Sequence, residues 1–444
     1  MRQFKFLSAD YDEPSTTVKL RYGFDDDLVF EECFIFNNAP AITSTEQKQA
    51  LEICIRNLHL AAGVSYYKAF APAAIQIENN QLSPAEARFF EKFYFKGLGE
   101  FAYKNNLDLR DKIHFPVATQ TPVAASNFPL KKCAAVPIGG GKDSIVTLES
   151  LKQAGEAAVM FSLGHAAPIQ KTMQVAGLPS IVVTRQMSPV LFELNKQPGT
   201  LNGHVPVTGI LSFVLTVAAV LYDFNVIAMS NEHSASVGNL QVNGLEVNHQ
   251  YSKSFEFEQD FAEHVATYML KNLTYFSFLR PLSEIAIASL FAKLEPYHAV
   301  FTSCNRAFSI QEHNRRTGWC CDCPKCRFVF LALAPFIEKT KLINIFGKNL
   351  LDDTTQETGF RELLGLQGYK PFECVGEIKE SLLAFRALSS NSAWQGDDLV
   401  EKLTAEVTQA TSELEELAVF LHSYSDNHAL SQHYRTLLDA FSRT

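Results

Sequence analysis

The sequence lacks both a long apolar run and an excess of positive charge. Its most apolar stretch, from Gly209 to Leu221, has thirteen residues, which is short for a membrane span and typical of a buried helix. The net charge of −9 argues against a protein that grips nucleic acid by bulk electrostatics. The first residues also lack the apolar core of a signal peptide. We therefore expect a cytoplasmic protein with neither a membrane nor a nucleic acid as partner.

The chain is long enough, and apolar enough, to form two or three folded domains. It has 444 residues, of which 47% are hydrophobic. Apolar and polar residues alternate along the first forty positions, which predicts a small antiparallel sheet. Helical patterns follow, one with Ser83 as its cap, Pro84 in its first turn and Glu86 three positions after the cap. Residues 1–115 are thus predicted to form an α+β N-terminal domain, and the proline-interrupted residues 116–130 a linker.

The pattern of apolar and polar residues changes after this linker. Short apolar runs alternate there with helical patterns, and the runs read CAAVPI, AAVMFSLG, SIVVTR and NVIAMSN. Strands buried on both faces have this composition, and their alternation with helices predicts βαβ units. We predict an α/β domain with a doubly wound parallel sheet over residues 131–335, and a mostly helical region over residues 336–444.

Cysteines are concentrated in one short segment. Five of the nine lie between Cys304 and Cys326, and such clustering in a cytoplasmic chain favours metal ligation over disulfides. The residues with the spacing of a closed, structural zinc site are Cys304, Cys320, Cys323 and Cys326. Two alternatives stay open: Cys321 as a ligand in place of Cys320, and an iron–sulfur cluster in place of zinc.

The other cysteines, and the histidine nearest the cluster, are expected to have no chemical role. His313 has no partner at ligand spacing and is expected on the surface. Single cysteines in apolar surroundings usually pack as small hydrophobic residues. The residues expected to do so are Cys33, Cys54, Cys133 and Cys374.

The segment after the first buried strand has the composition of an anion-binding loop. It consists of Gly139, Gly140, Gly141, Lys142, Asp143 and Ser144. Backbone N–H groups at a helix N-terminus bind anionic oxygens when no side chains crowd them. Lys142 adds a positive charge, Ser144 a hydroxyl donor, and Asp143 a carboxylate that can hold Mg²⁺. The P-loop pattern fails because Asp143 follows the lysine, and the dinucleotide pattern fails because position 144 is serine.

The loop resembles the SGGxDS loop of the ATP pyrophosphatases, the PP-loop family. The resemblance implies that the loop grips the β and γ phosphates of ATP while a substrate attacks the α phosphorus, which gives an adenylate and pyrophosphate. Lys142 and Asp143 are then catalytic as well as ATP-binding residues. The resemblance also implies adenine contacts near Ser162 and Gly164, after the second strand. Gly139 stands where the family has serine, so one hydroxyl donor is missing.

The sequence also offers candidates for proton transfer and for anion binding. Glu232 and His233 follow a buried strand, where α/β sheets form their ligand crevices, and can handle a proton or Mg²⁺. Hydrogen bonding within a loop is the other interpretation of both, and Cys321 is a further candidate base. The basic residues that can meet a carboxylate or phosphates, with simple solvation as the alternative, are Lys68, Arg315 and Arg316. Tyr66 and Tyr67 are expected in the core or at an interface rather than stacked on a ligand.

The cysteine pattern resembles that of the 7-cyano-7-deazaguanine synthases, which are also PP-loop enzymes. Over nearly the whole chain, however, the sequence resembles the ATP-dependent epimerases that act on UDP-N-acetylmuramoyl-L-alanyl-L-glutamate in peptidoglycan synthesis. The segments that carry this resemblance are LHLAAGVSYYKAFAP, GLGEFAYKNNLDLR, VPIGGGKDS, GWCCDCPKCRFVFLALAPF and GLQGYKPFECVGE. The resemblance implies ATP and Mg²⁺ as cofactors, a structural Zn²⁺, and a UDP-linked muramoyl dipeptide as the partner.

The reaction implied by this resemblance converts the terminal L-glutamate to D-glutamate through an adenylated carboxylate, with release of AMP and pyrophosphate. Adenylation removes the charge of the carboxylate and acidifies the Cα proton, so that a base can remove it. Two other hypotheses stand beside it. One is a PP-loop ligase or nucleoside- or tRNA-modifying enzyme, and the other is a zinc-stabilised binding protein without enzymatic activity.

Overall fold

One large mixed β-sheet lies at the centre of the computed structural model. The model describes residues 3–25, 27–79, 82–118, 124–238, 240–242, 244–308, 316–368 and 370–443, and the predicted linker therefore includes residues 119–123 that lie outside the described part. The strands are β1 (Gln3–Asp12), β2 (Thr17–Phe24), β3 (Leu28–Phe36), β4 (Ala74–Ile77), β5 (Ala134–Pro137), β6 (Ala158–Leu163), β7 (Ser180–Gln186), β8 (Val226–Met229), β9 (Leu240–Val242), β10 (Leu245–Val247) and β11 (Thr274–Ser277).

The helices lie between and after these strands. They are α1 (Thr45–Ala62), α2 (Val64–Tyr67), α3 (Pro84–Gly97), α4 (Gly99–Lys104), α5 (Lys142–Gln153), α6 (Ala167–Ala176), α7 (Pro189–Leu194), α8 (Val207–Tyr222), α9 (Phe255–Tyr268), α10 (Glu284–Ala292), α11 (Pro324–Leu333), α12 (Lys339–Phe346), α13 (Glu357–Leu363), α14 (Ile378–Ser389), α15 (Asp398–Ala410), α16 (Leu417–Phe420) and α17 (Gln432–Ser442). The region after residue 336 is thus helical, as predicted.

Five neighbouring strands of the sheet are parallel, in the order β11-β8-β5-β6-β7. The chain runs from β5 outward through β6 to β7, and then returns to place β8 and β11 on the other side of β5. The strand order therefore reverses between β5 and β8. Open α/β sheets bind ligands at the carboxyl ends of the strands where such a reversal occurs, and the predicted glycine loop directly follows β5.

The three N-terminal strands are antiparallel, as predicted, but they do not form a small sheet of their own. Residues 33–36 of β3 pair with residues 183–186 of β7, so the N-terminal strands extend the parallel strands into a mixed sheet of nine. The sheet is therefore not purely parallel. The pairing covers the backbone groups along the edge of β7, which would otherwise be open to association. Periodicity describes strands one at a time and cannot reveal this pairing.

Helices cover both faces of the parallel strands. On β5, Ala134 and Val136 belong to a core formed with α5, α10 and α11, whereas Ala135 belongs to a core formed with α1 and α8. Burial on both faces explains why these strands appear as continuous apolar runs. The apolar stretch of thirteen residues lies in the buried helix α8. Among the described residues, no helix is long and apolar enough to span a membrane.

Serine residues cap the N-terminal helices α1 and α3, and one of them is the predicted cap Ser83. The Ser44 hydroxyl accepts a hydrogen bond from Gln47 N at 3.0 Å and begins α1. At α3, the Ser83 hydroxyl accepts from Glu86 N, and the Glu86 carboxylate accepts from Ser83 N at 2.9 Å. This reciprocal arrangement is a capping box, which satisfies two helix-terminal donors.

Candidate functional site

The glycine loop joins β5 to α5 at the crevice between β5 and β8. Helix α5 begins at Lys142, with Gly141 as its capping residue. Gly140 has a φ of 80°, which residues with a side chain rarely adopt, and its carbonyl accepts a hydrogen bond from Thr302 N at 2.9 Å. A Cβ atom on Gly141 would lie only 3.2 Å from the Cβ of Ser303. The first N–H groups of α5 therefore border a loop without side-chain bulk, as phosphate binding requires.

Two residues of the loop differ in how tightly their surroundings constrain them. Gly139 is exposed, and nothing lies within 4 Å of the position that its Cβ would take, so a serine would fit there. Ser144 is buried, and its hydroxyl donates a hydrogen bond to Gly141 O at 3.2 Å. Backbone conformation and close contacts therefore explain why glycine occupies positions 140 and 141, but they do not explain the glycine at position 139.

Lys142 is a buried charge held by two carboxylates. Its Nζ donates hydrogen bonds to Asp143 Oδ1 and to Glu284 Oε2, at the start of α10. Burial lowers the pKa of Lys142, but Asp143 and Glu284 outweigh it and raise that pKa overall. Burial raises the pKa of Asp143, but the positive charges of Lys142 and Lys325 have the larger effect and lower that pKa overall. The Asp143 side chain stays 26% exposed, so the loop offers an ionised carboxylate to the crevice.

Further charged side chains surround Lys142 and its two carboxylate partners. We call the following residues the charged cluster: Lys142, Asp143, Glu232, Lys253, Glu284, Lys325 and Lys370. Lys325 Nζ lies 3.9 Å from Glu284 Oε1. Lys253 interacts electrostatically with Glu232 and Asp143, and Lys370 interacts with Glu232 and Glu284. The set thus joins four lysines and three carboxylates, and lysines in a cleft can bind anions.

Of the two residues predicted after β8, Glu232 lies within the charged cluster. It is buried, and its carbonyl accepts a hydrogen bond from the Arg280 guanidinium at 2.6 Å. Arg280 also donates to the carbonyl of Lys253 at 2.6 Å, so one buried arginine fixes both segments. His233 N donates to Leu282 O, and no described residue forms a hydrogen bond with the His233 ring.

The residues predicted to contact adenine lie at the carboxyl end of β6. Ser162 is buried, and its hydroxyl donates to Gly164 O at 3.2 Å. Gly164 has a φ of 98°, and its N–H donates to Val183 O at 2.7 Å. Since β5 and β6 are parallel neighbours, these residues lie on the same edge of the sheet as the glycine loop.

Cys374 also belongs to this region, and its assignment to core packing is wrong. Lys253 Nζ donates a hydrogen bond to Cys374 Sγ at 3.2 Å, and Lys325 Nζ donates to the Cys374 carbonyl. The thiol also hydrogen-bonds with the His249 side chain. Burial by itself raises the pKa of the Cys374 thiol, but Lys253, His249 and Lys325 outweigh it and lower the pKa to about 6. The thiol is therefore ionised at neutral pH.

His249 is held by a carboxylate on its other side. Its Nδ1 donates a hydrogen bond to Glu100 Oε2, and the rings of His204 and His249 lie 4.5 Å apart. Burial lowers the pKa of His249, but Cys374 and Glu100 outweigh it and raise the pKa to about 9. Hydrogen bonds thus connect the Glu100 carboxylate to the His249 imidazolium, and the imidazolium to the Cys374 thiolate.

The four cysteines predicted as metal ligands are brought together at the start of α11. Their sulfur atoms all lie within 4.8 Å of one another. The distance is 3.4 Å from Cys323 to Cys326 and 3.7 Å from Cys320 to Cys326. Four sulfurs in a tetrahedron around one ion at a bond length of about 2.3 Å would lie about 3.8 Å apart. The residues of this thiol cluster, Cys304, Cys320, Cys323 and Cys326, can therefore hold a single metal ion.

Other candidates from the sequence lie away from the charged cluster or outside the described residues. Cys321 Sγ donates to Phe346 O at 3.2 Å and is not among the four clustered thiols. Arg316 is exposed, while His313 and Arg315 lie outside the described residues. Lys68 is buried and donates to Asn202 Oδ1, and burial lowers the pKa of Lys68 to about 8.

Tyr66 and Tyr67 are core residues, as predicted. Both are fully buried. The Tyr66 hydroxyl accepts a hydrogen bond from Ser188 N at 3.1 Å, and the Tyr67 hydroxyl donates to Pro72 O at 3.0 Å. Neither ring is therefore free to stack on a ligand.

Comparison with known proteins decides the family. A model of the MurL N-terminal domain matches residues 1–278, and a model of the MurL C-terminal domain matches residues 300–418. The chain belongs to the MurL family.

Relatives in the MurL family resemble this chain over most of their length. A UDP-N-acetyl-alpha-D-muramoyl-L-alanyl-L-glutamate epimerase of Xanthomonas oryzae pv. oryzae is 44% identical, over 91% of this chain and 89% of its own. Proteins with the same name from a Micromonospora species and from Salinispora tropica are 44% and 40% identical, over 79% and 93% of this chain and over 78% and 92% of their own chains.

Both MurL domains contribute to the site. The glycine loop, Glu232 and Lys253 lie in the part matched by the N-terminal model, whereas Cys374 and the thiol cluster lie in the part matched by the C-terminal model. A cavity of about 610 Å³ lies beside one end of this region: its wall includes Gly99 and Asn248, the chain neighbours of Glu100 and His249. This volume is typical of small-molecule sites.

Proposed function

We propose that this protein is an ATP-dependent epimerase that inverts the terminal L-glutamate of UDP-N-acetylmuramoyl-L-alanyl-L-glutamate in peptidoglycan precursor synthesis. The observation that carries the proposal is the family membership, together with relatives of at least 40% identity that bear the name of this epimerase. The glycine loop at the strand reversal supports the use of ATP. For the parallel strands we propose the fold of the PP-loop ATP pyrophosphatases.

In this proposal, the glycine loop binds the β and γ phosphates. The N–H groups at the start of α5 and the loop residues Gly139, Gly140 and Gly141 supply a cradle without side chains, and Ser144 completes the turn. Lys142 supplies a fixed positive charge, which its two carboxylate partners keep protonated. Asp143 is the residue that would hold Mg²⁺, which neutralises charge on the phosphates when bound. Ser162 and Gly164 lie where adenine contacts are proposed.

The acceptor carboxylate attacks the α phosphorus and becomes an acyl-adenylate, with loss of pyrophosphate. The remaining lysines of the charged cluster suit this step, because they can orient an anionic carboxylate near the phosphates. Once the carboxylate is adenylated to a mixed anhydride, its negative charge no longer opposes loss of the Cα proton. Glu232 is held beside Lys253 and is a candidate for proton transfer, as is His233. Water then releases the inverted product and AMP.

The thiol cluster would hold a structural zinc ion. Four thiolates fill every position of a tetrahedral ion, which leaves none open for a substrate. The spacing within 4.8 Å supports one ion, since an iron–sulfur cluster would place several irons and sulfides between the same thiolates. The reduced cysteines that this site needs favour the cytoplasm as the location of the protein.

The substrate's nucleotide-sugar portion is assigned to the cavity of about 610 Å³, because the wall of that cavity includes the chain neighbours of Glu100 and His249. A larger cavity of about 1170 Å³ is lined largely by residues of β1 and α1, and its wall includes no described chain neighbour of Glu100 or His249. Tyr103 and Tyr251 are aromatic residues of the smaller cavity's wall, and such rings are well suited to stacking on a base.

The proposal is tested by incubating the purified protein with ATP, Mg²⁺ and the UDP-linked dipeptide, and then determining AMP and the chirality of the glutamate. We expect D-glutamate only when ATP is present, with AMP and pyrophosphate as co-products. AMP formation with recovery of L-glutamate alone would contradict an epimerase and favour a PP-loop ligase. Absence of pyrophosphate with every acceptor would leave only a binding protein.

A further inference from the structure

We propose that Cys374 transfers the Cα proton of the glutamyl residue, and that Lys253, His249 and Glu100 are the positioning residues that hold it as a thiolate. The inference rests on the proposed function and deepens it, because it assigns the group that acts after the carboxylate has been activated.

The geometry sets this thiol apart from every other cysteine among the described residues. Lys253 Nζ lies 3.2 Å from Cys374 Sγ, and the thiol also hydrogen-bonds with His249, whose Nδ1 donates to Glu100. A base that is itself fixed by a third group is the arrangement that activates a thiol in enzymes. Cys374 as a residue is only partly buried.

The thiol is also connected to the proposed ATP site. Lys325 Nζ donates to the Cys374 carbonyl and lies 3.9 Å from Glu284 Oε1, while the other oxygen of Glu284 accepts from Lys142 of the loop. Lys253 interacts with Cys374 and also with Asp143 of the loop. Two lysines therefore lie between Cys374 and the loop, and in this proposal a carboxylate activated at the loop presents its Cα to the thiol.

Proton transfer at this thiol balances without any redox partner. The Cα–H bond breaks, an S–H bond forms at Cys374, and the electron pair moves into the activated carboxyl group as an enolate. Water, or an acid that exchanges protons with it, then delivers a proton to the opposite face of Cα, and the electron pair returns to form the new C–H bond. The thiol releases its proton to water and becomes a thiolate again, as its pKa of about 6 permits at neutral pH.

The test separates activation from proton transfer in the Cys374→Ala and Cys374→Ser variants. Substrate-dependent exchange of labelled pyrophosphate into ATP reports adenylation alone. Loss of deuterium from substrate labelled at Cα reports proton removal. We expect exchange to stay within about threefold of the wild type, and deuterium loss to fall at least about a hundredfold, the lower bound for a positioned acid–base group. Cys133→Ala, which changes a cysteine at the other end of β5, should retain both activities.

Two results would overturn the inference. Deuterium loss near the wild-type rate in the variants would show that the thiol is not the base. A parallel fall of both activities would show that Cys374 acts in ATP or substrate binding. If the wild-type protein shows no substrate-dependent exchange, the proposed function itself fails and the inference fails with it. Circular dichroism and zinc content of each variant establish that the fold is intact.

Discussion

The thiol cluster and Cys374 contain the same chemical group in two different surroundings. The clustered thiols have one another as neighbours, with sulfur atoms within 4.8 Å. Cys374 has a lysine at 3.2 Å and a histidine instead. Thiols that face each other can share one metal ion, whereas a thiol among cations becomes a free thiolate. Surroundings, rather than residue type, therefore distinguish the cysteines that can share a metal ion from the one that can act as a free thiolate.

Helix α11 connects the two regions. Cys323 caps this helix and Cys326 lies in its first turn, while Lys325 between them reaches Glu284 and Cys374. A metal ion bound by the thiol cluster would therefore fix the position of a lysine in the charged cluster. Removal of the ion should disturb both regions, but a change within the charged cluster should leave the ion in place.

The largest effect is expected from Asp143→Ala, which acts on the charged cluster alone. Loss of the loop carboxylate should lower AMP formation at least about a hundredfold. The melting temperature should change little, because Lys142 keeps Glu284 as a partner. Quantified AMP and a thermal melt check this, with Asp27→Ala on an exposed turn as the matched control. A large fall in melting temperature would instead assign Asp143 to the fold.

Cys323→Ser acts on the thiol cluster. We expect bound zinc to fall well below one ion per chain and the free energy of unfolding to decrease by about 4 kcal/mol or more, since binding of a structural metal contributes to folding. Zinc is measured by atomic emission and stability by denaturant titration. Cys321→Ser is the matched control, because its thiol contacts Phe346 O and not the other sulfurs. Equal zinc in the two variants would refute the ligand assignment.

Lys325 lies between the two regions, so the variant Lys325→Met tests whether one region can be changed without the other. Its charge-assisted contacts, to Glu284 and to the carbonyl of Cys374, would be lost. Misplacement of reacting groups lowers enzymatic rates by up to about a hundredfold, so we expect epimerisation to fall about tenfold or more. Zinc content should stay at the wild-type value. Loss of zinc in this variant would mean that the two regions cannot be separated.

The smallest expected effect is a shift in the pH profile of the alkylation rate at Cys374. Alkylation requires the thiolate, so the rate at Cys374 should rise as pH increases through about 6 and then level off. The groups facing this thiol are Lys253, His249 and Lys325, with Glu100 behind the histidine. Lys253→Met removes one positive charge, which raises the pKa of Cys374 and should move the profile to higher pH. Peptide mapping after iodoacetamide treatment measures it, and an unchanged profile would remove Lys253 from its assigned role.

The sequence was sufficient for the elements whose residues are close together along the chain. The capping box at Ser83, the glycine loop before α5 and the thiol cluster all depend on short spacings, and each lies where its pattern predicts. The strand order was not accessible in this way, because the pairing of β3 with β7 joins residues about 150 positions apart.

The contacts within the charged cluster could not be predicted from the sequence for the same reason. Lys142 and Glu284 are 142 positions apart, and Lys253 and Cys374 are 121 positions apart. Nothing in the local pattern around Cys374 distinguishes it from Cys54, which is fully buried. The only available indication was the family-like segment GLQGYKPFECVGE, which contains Lys370 and Cys374 but carries no generic chemical meaning.

The central claim is that ATP hydrolysis to AMP drives inversion at the glutamyl Cα, and deuterium oxide provides its most direct test. The wild-type protein is incubated in this solvent with ATP, Mg²⁺ and the UDP-linked L-glutamyl dipeptide, and the glutamate is then resolved by chirality and mass. We predict D-glutamate that carries one deuterium at Cα and is formed only with ATP. D-glutamate without deuterium, or D-glutamate formed without ATP, would contradict the account.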